Sequence, residues 1–201
     1  MSSIGALILA AGESSRFGQP KQLVQFRGRT LLRGVVDAAA EAGCSPIIVV
    51  VGSDGRKLAP ELQQTSAIIA ENANWKSGMG TSIRRGVRTL IDQSSESEAL
   101  VLLVCDQPFV NANPIKRLIS RRQESAAPII ASAYAETLGV PALFDRAFFE
   151  ELLSLEDDAG AKSIILRNRE KVAEISFPEG EIDIDTTQDL EELVTKQKHV
   201  D

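Results

Sequence analysis

Two cations and two glycines share one short stretch, Gly12-Glu-Ser-Ser-Arg16-Phe-Gly18-Gln-Pro-Lys21, directly behind an apolar run from Ile4 to Ala11. The run reads as a buried strand, and the small residues after it read as a loop at the carboxyl end of a sheet. Backbone N–H groups that lack a strand partner can turn onto phosphate oxygens in such a loop. Arg16 and Lys21 add two full charges, so Leu9, Ala10, Ala11, Gly12, Arg16 and Lys21 form a candidate nucleotide-phosphate cradle. It is not a P-loop, because Gly18 is followed by Gln19, Pro20 and Lys21 instead of Lys and Ser or Thr. Nor is it the dinucleotide fingerprint, since Gly12 and Gly18 stand six apart. Pro20 argues against a helix starting straight after Gly12, and an ordinary polar surface loop is the alternative reading.

Asp106 follows the most apolar run of the chain, Ala99 to Cys105. A carboxylate at the carboxyl end of a central strand points into the crevice where ligands of parallel sheets bind. Facing bound phosphates, it needs a cation between the two anions, which implies Mg²⁺; otherwise Asp106 merely caps a turn before Pro108. One carboxylate is a thin metal site, and Asp183-Ile184-Asp185-Thr186 offers a partner at a strand-to-helix junction, with Ile184 inward and both acids outward. Acids just before a helix also serve as ordinary dipole partners. A second loop, Asn74 to Ile83, holds Gly78 and Gly80, which let the backbone approach a flat ligand, and Ser82, whose helix start exposes free N–H groups. Trp75, the sole tryptophan, is either a pocket wall or a core anchor. His199 is the sole histidine and lies in the tail, which rules out histidine-based catalysis. No activated Ser, Cys or His nucleophile stands out, so direct displacement at phosphorus is the chemistry these residues permit.

The elements that position these residues follow from periodicity. Thr30 to Ala42 has helical spacing, with Gly43 as its stop. Pro46 to Val51 is a β-branched strand covered on both faces, Gly55 opens a helix through Leu58 and Leu62, and Ala67 to Ala70 is a short strand. Strand and helix alternating this early imply a parallel sheet with right-handed crossovers. A helix over Ser82 to Ile91, the central strand, and a helix opened by Asn113-Pro114 continue the rhythm. Ile129 to Tyr134 and Leu138 to Phe144 then leave no room for a crossover helix, which suggests an antiparallel addition beside the sheet. Asp145 caps a further helix, Ala159 to Arg167 is another, and Val172 to Phe177 is a late strand. Thr186-x-x-Asp189 opens the last helix as a capping box, and the tail frays after Lys196.

Length and composition fit this α/β reading: 201 residues, 43% hydrophobic and 25% charged, suffice for one domain with a substantial core. The sequence shows no 18-residue apolar run and no basic region ahead of a long apolar one, so neither a membrane span nor a signal peptide is expected. Cys44 and Cys105 are too few for a disulfide framework, and a cytoplasmic location is the default. A net charge of −6 disfavours nucleic acid as a partner, yet residues 1–36 carry Arg16, Lys21, Arg27, Arg29 and Arg33 against Glu13 alone. A polyanionic small molecule binding there would account for that asymmetry, as would chance.

The stretch Leu7-Ile-Leu-Ala-Ala-Gly-Glu-Ser-Ser-Arg-Phe-Gly-Gln-Pro-Lys21, taken with the later segments, resembles the signature of the MobA-like nucleotidyltransferase family. Within it the chain is most similar to the molybdenum-cofactor cytidylyltransferase branch, because Ala10-Ala11-Gly12 lacks the second glycine of the guanylyl branch. The resemblance implies a three-layer, Rossmann-like (GT-A-like) nucleotidyltransferase fold with a mostly parallel sheet. It also implies CTP and molybdenum-bound molybdopterin as substrates, Mg²⁺ as the ion, and a molybdenum hydroxylase as client. Arg16, Lys21 and Asp106 then take the catalytic roles, Gly80, Thr81 and Ser82 the base contacts, and Asp106 with Asp185 the metal, Asp183 being held in reserve. Gly139-Val140-Pro141 is similar to a family segment near the pterin, and Asp157 to Lys162 to a G-D-x-G-A-R segment, with Asp157 and Lys162 departing from it. A sibling enzyme using GTP or acting on a sugar or alcohol phosphate, and a non-catalytic cofactor-delivery protein, are the other classes these residues allow.

Overall fold

The computed structural model describes residues 3–12 and 18–197. In chain order its elements are strand β1 (Ser3–Ala10), a hairpin of β2 (Gln25–Phe26) and β3 (Arg29–Thr30), α1 (Leu31–Glu41), β4 (Ile47–Val51), α2 (Gly55–Leu58), β5 (Ala67–Glu71), α3 (Met79–Gln93) and β6 (Ser97–Val104). There follow α4 (Ala112–Ser125), β7 (Ile129–Tyr134), β8 (Thr137–Asp145), α5 (Phe149–Leu153), α6 (Ala161–Arg167), β9 (Val172–Ser176) and α7 (Thr187–Gln197). No helix among the described residues is long and apolar enough to cross a membrane.

One sheet of seven strands runs β5-β4-β1-β6-β8-β7-β9, which puts the apolar β6 at its centre. Strands β5, β4, β1 and β6 are mutually parallel, and β7 pairs in parallel with β9. Among the described strands of this sheet, only β8 runs against its neighbours, β6 on one side and β7 on the other. The antiparallel unit expected beside the sheet therefore lies within it. The reason is local: Ala135 and Glu136, both at positive φ, turn the chain too tightly for a crossover, so β8 must reverse.

Side chains alternate across each strand, and this builds two cores. Ala6, Ile8 and Ala10 of β1 face the first, with Leu32, Val35 and Val36 of α1 and Ile115 and Leu118 of α4. Leu7 faces the second, with Ile83, Val87 and Leu90 of α3, Leu152 of α5 and Ile164 of α6. The result is three layers, helix on sheet on helix. A third, smaller cluster joins Val24 and Phe26 at the hairpin to Ile184 and Leu193 at the end of the chain. That cluster brings the acidic segment before α7 back to the first loop.

Several boundaries differ from those expected. Helix α3 starts at Met79, ahead of Ser82, because Gly78 at φ 135 provides the break that begins it. Asn111, not Asn113, caps α4, its side chain accepting from the Asn113 N–H, so Pro114 lies inside the first turn. Asp145 makes no cap hydrogen bond and instead pairs with Arg122 at 2.6 Å. The capping box of α7 forms as read: the Thr186 N–H donates to Asp189 at 2.7 Å, and the Asp189 N–H to Thr186 Oγ1 at 3.2 Å. His199 lies outside the described residues.

Candidate active site

The carboxyl ends of β1 and β6 lie side by side, since Leu9 pairs with Val104. Ala11 and Gly12 therefore emerge next to Cys105 and Asp106. A cavity of about 500 Å³ opens there, lined among others by Leu9, Ala11, Gly12, Lys21, Trp75, Ser82 and Asp106. Its size is that of an ordinary small-molecule site. A smaller cavity of about 230 Å³, lined by Phe26, Arg27, Leu31 and Phe109 among others, contains neither the Gly12 loop nor Lys21 nor Asp106. The chemistry accordingly belongs to the larger one.

Lys21 is the electrostatic centre of the site. Its Nζ donates to Asp106 Oδ2 at 2.7 Å and to Asp185 Oδ1 at 3.0 Å, and its side chain is only 14% exposed. Burial by itself would lower the lysine pKa, but the charges and hydrogen bonds of Asp106 and Asp185 outweigh it and raise the pKa above its ordinary value. Asp185 arrives through backbone and core together. Ile184 is fully buried in the third cluster, and its N–H donates to the Asp106 carbonyl at 2.8 Å. The acids on either side of Ile184 are thereby turned outward. Asp183 is pushed up to about 6, first by loss of solvation and then by the charges of Asp106 and Asp185, while solvent at its exposed face moderates both effects.

The donor set suits a hard divalent cation. Such ions take carboxylate oxygens and complete their shell with water and phosphate oxygens. Here one cation, the Lys21 ammonium, already spans the two carboxylates, so their spacing accepts a positive centre. Among the described residues there is no cluster of three or more His, Cys, Asp or Glu with metal-holding geometry, so Asp106 and Asp185 would supply only part of a coordination shell.

Not every residue of the expected cradle faces the cavity. Leu9 and Ala11 line it, whereas Ala10, the intervening residue, packs into the opposite core. The Ala10 carbonyl accepts from Gln22 Nε2 at 2.9 Å, and the Gly12 carbonyl lies 3.4 Å from the same nitrogen. Gln22, 2% exposed, thus fastens the start of the loop from below. Arg16 lies outside the described residues.

The second loop is built differently from its sequence reading. Gly80 donates its N–H to the Asp157 carbonyl at 2.9 Å, and a Cβ on Gly80 would strike the Glu156 carbonyl. A Cβ on Gly78 would likewise meet Asp157. Both glycines make room for the 156–159 loop; Gly78 also lines the cavity, so its backbone still borders the space a ligand would occupy. Arg84 clamps that loop further through the Leu155 carbonyl and the Asp157 carboxylate. Thr81 is buried, with Oγ1 bonded to the Gly78 carbonyl at 2.8 Å and receiving Asn72 Nδ2 at 2.9 Å. Gly80 and Thr81 do not line the cavity; Ser82, which accepts from Asn72 at 3.0 Å, does. Trp75 serves in both roles left open, since it packs on the second core and also walls the cavity. Lys162 is exposed at the start of α6.

Gln22, which lines the cavity, carried no obvious signal in the sequence. The cysteines add no nucleophile. Burial pushes the Cys44 thiol up to about 12, and burial followed by the Asp106 charge pushes Cys105 higher still.

A parallel-sheet crevice with a glycine-containing first loop, a lysine and paired carboxylates defines an α/β protein of the nucleotidyltransferase type. The family model described as "MobA-like NTP transferase domain" matches residues 6–172, and the chain belongs to that family. A protein named nicotine blue oxidoreductase, from Paenarthrobacter nicotinovorans, is 27% identical over 95% of this chain and 96% of its own. The molybdenum cofactor cytidylyltransferase of Escherichia coli K12 is 26% identical over the whole of both chains. Among solved structures, Rv0371c of Mycobacterium tuberculosis H37Rv, in its complex with manganese, superposes with a TM-score of 0.75 at 28% identity, covering 96% of this chain and 98% of that one.

Proposed function

We propose that this chain, acting as one nucleotidyltransferase domain, transfers CMP from CTP to molybdenum-bound molybdopterin. The products are molybdopterin cytosine dinucleotide and pyrophosphate. The observation that carries the reading is Lys21 joined to Asp106 and Asp185 at the mouth of the cavity that Gly12 and Ala11 line. A full-length relative named for cytidylyl transfer to the molybdenum cofactor supports the choice of substrates.

The acceptor phosphate oxygen attacks the α-phosphorus of the nucleotide. One P–O bond forms, the α–β P–O bond breaks, and its electron pair leaves on pyrophosphate. Little covalent work falls to the protein, so positioning and charge neutralisation dominate. Lys21 follows the developing charge on the leaving group, with Arg16 as the second cation of the loop. Ser82, on the cavity wall, has a hydroxyl hydrogen to offer the base. Asp106 and Asp185 would hold a divalent ion, Mg²⁺ or Mn²⁺, which supplies charge stabilisation at the α-phosphate. The Ala11 methyl group narrows the cavity at the β1 end, which favours the smaller pyrimidine base.

Pyrophosphate release, measured with CTP, GTP and ATP against molybdenum-bound molybdopterin and a panel of sugar and alcohol phosphates, tests this reading. Release with CTP and the molybdopterin alone supports it. Release with GTP, or with another phosphate acceptor, moves the chain to a sibling activity, and no release under any pairing refutes transfer.

A further inference from the structure

Gln107 follows Asp106 and is 5% exposed. Its Nε2 donates to the Gly180 carbonyl at 2.7 Å and to the Val140 carbonyl at 3.1 Å. Two carbonyl acceptors fix which end of the amide is nitrogen, because only the NH₂ can donate. Its Oε1 is left as the one buried side-chain polar atom without a partner among the described residues. A buried acceptor without a donor is unfavourable. A methionine would fill the same space without that cost, so the value of glutamine here lies in its two donated hydrogen bonds.

Both acceptors belong to segments that shape the site. Gly180 lies in the turn Pro178–Glu181, which leads directly into Asp183 and Asp185. Val140 lies where the β7–β8 register shifts between Ala131 and Ser132, and its carbonyl also accepts from the Tyr134 hydroxyl at 3.0 Å. Gly180 is pressed against Tyr134 so closely that a Cβ would sit 2.6 Å from Cδ1 of that ring. Together with the Ile184 N–H on the Asp106 carbonyl, the Gln107 amide ties the acidic segment to the end of β6 at two successive residues.

We infer that Gln107 is a positioning residue that sets the separation of the Asp106 and Asp185 carboxylates. The inference rests on the reading of those two acids as the cation site. Lys21 spans them with contacts of 2.7 and 3.0 Å, so a slide of the 178–185 segment by about the width of a hydrogen-bond tolerance would leave one carboxylate out of reach of a shared cation. Gln107 does not line the nucleotide cavity, so its loss separates cation binding from nucleotide binding.

Two variants disturb the same tie from opposite ends: Gln107→Met removes the donors, and Gly180→Ala pushes away the acceptor. Mn²⁺ binding is followed by electron paramagnetic resonance without nucleotide, Ile184 amide exchange by NMR, and turnover by pyrophosphate release. Each variant is expected to weaken Mn²⁺ binding about tenfold or more, as loss of support behind a metal ligand does. Ile184 exchange should quicken, and kcat should fall with the nucleotide KM within about twofold. Asp106→Asn and Asp185→Asn are the reference variants. If they leave Mn²⁺ binding unchanged, the cation-site reading fails and the inference with it. If they weaken it while Gln107→Met and Gly180→Ala lose only thermal stability, Gln107 is a packing residue and the inference alone is overturned. Should Gln107→Met not fold, Gly180→Ala decides.

Discussion

Replacing Lys21 by methionine removes the cation that spans Asp106 and Asp185 while keeping the length of the side chain. Lys21 is 14% exposed, Asp106 26% and Asp185 59%, so the first contact is shielded from water and the second largely is not. An exposed pair contributes about 0.2–1 kcal/mol, and a charge-assisted hydrogen bond in a partly buried pair about 1.5–3 kcal/mol. Discounting for the water that reaches both acids, the metal-free variant should lose about 1–2 kcal/mol. For a chain of this length that is a fall in Tm of roughly 2–8 °C. The loss should be nearly constant from about pH 7.5 to 9, above the titration of Asp183, which Lys21 also touches electrostatically. The folded lysine pKa is raised, so its stabilisation is fully present below the ordinary 10.5 and disappears only as pH rises through the folded value. A divalent cation should then stabilise the variant more than the wild type, because no ammonium competes for the carboxylates; at ten times its Kd the gain is about 1.4 kcal/mol. Differential scanning fluorimetry with EDTA, Mg²⁺ and Mn²⁺ reads all of this. A variant as stable as the wild type in EDTA, or one that gains nothing from either metal, would refute the electrostatic account of the site.

Asp106→Asn and Asp185→Asn should each cut turnover by about 100-fold or more, and the double variant should lose little beyond either single one, since groups acting as a unit are non-additive; losses that multiply would mean separate roles. Ala11→Gly should relax discrimination between CTP and purine triphosphates, read as the ratio of kcat/KM values, and an unchanged ratio would remove Ala11 from base selection. Gly80→Ala should destabilise the fold by about 1–3 kcal/mol through overpacking against the Glu156 carbonyl, and a variant with wild-type Tm would contradict the packing described for that loop. Asp183→Asn should raise Tm in EDTA at about pH 7–8, because the raised pKa means that ionising Asp183 costs stability above about 6. That advantage should shrink as pH falls through 6 toward 3.8, where both folded and unfolded forms hold the proton; a gap that does not change with pH would show the carboxyl to be unperturbed.

The sequence by itself determined the alternation of strands and helices, the central place of β6 and the capping box of α7. Each of these depends on neighbours within a few residues: an apolar run, a helical stripe, a Thr three positions ahead of an Asp. It also pointed to Lys21, Asp106 and Asp185 as separate chemical signals, each with a bland alternative. Only the tertiary structure decided that one ammonium touches both acids, because that contact spans 164 residues between Lys21 and Asp185 and depends on Ile184 finding the hairpin core. It also reassigned Gly80, which the sequence shows as open backbone but which the fold fills with the 156–159 loop, while Gly78 packs on the same loop and borders the cavity. Gln22 and Gln107 were invisible for the same physical reason. A glutamine in a sequence looks like surface, and it becomes structural only when folding buries it against backbone carbonyls brought from distant strands and turns.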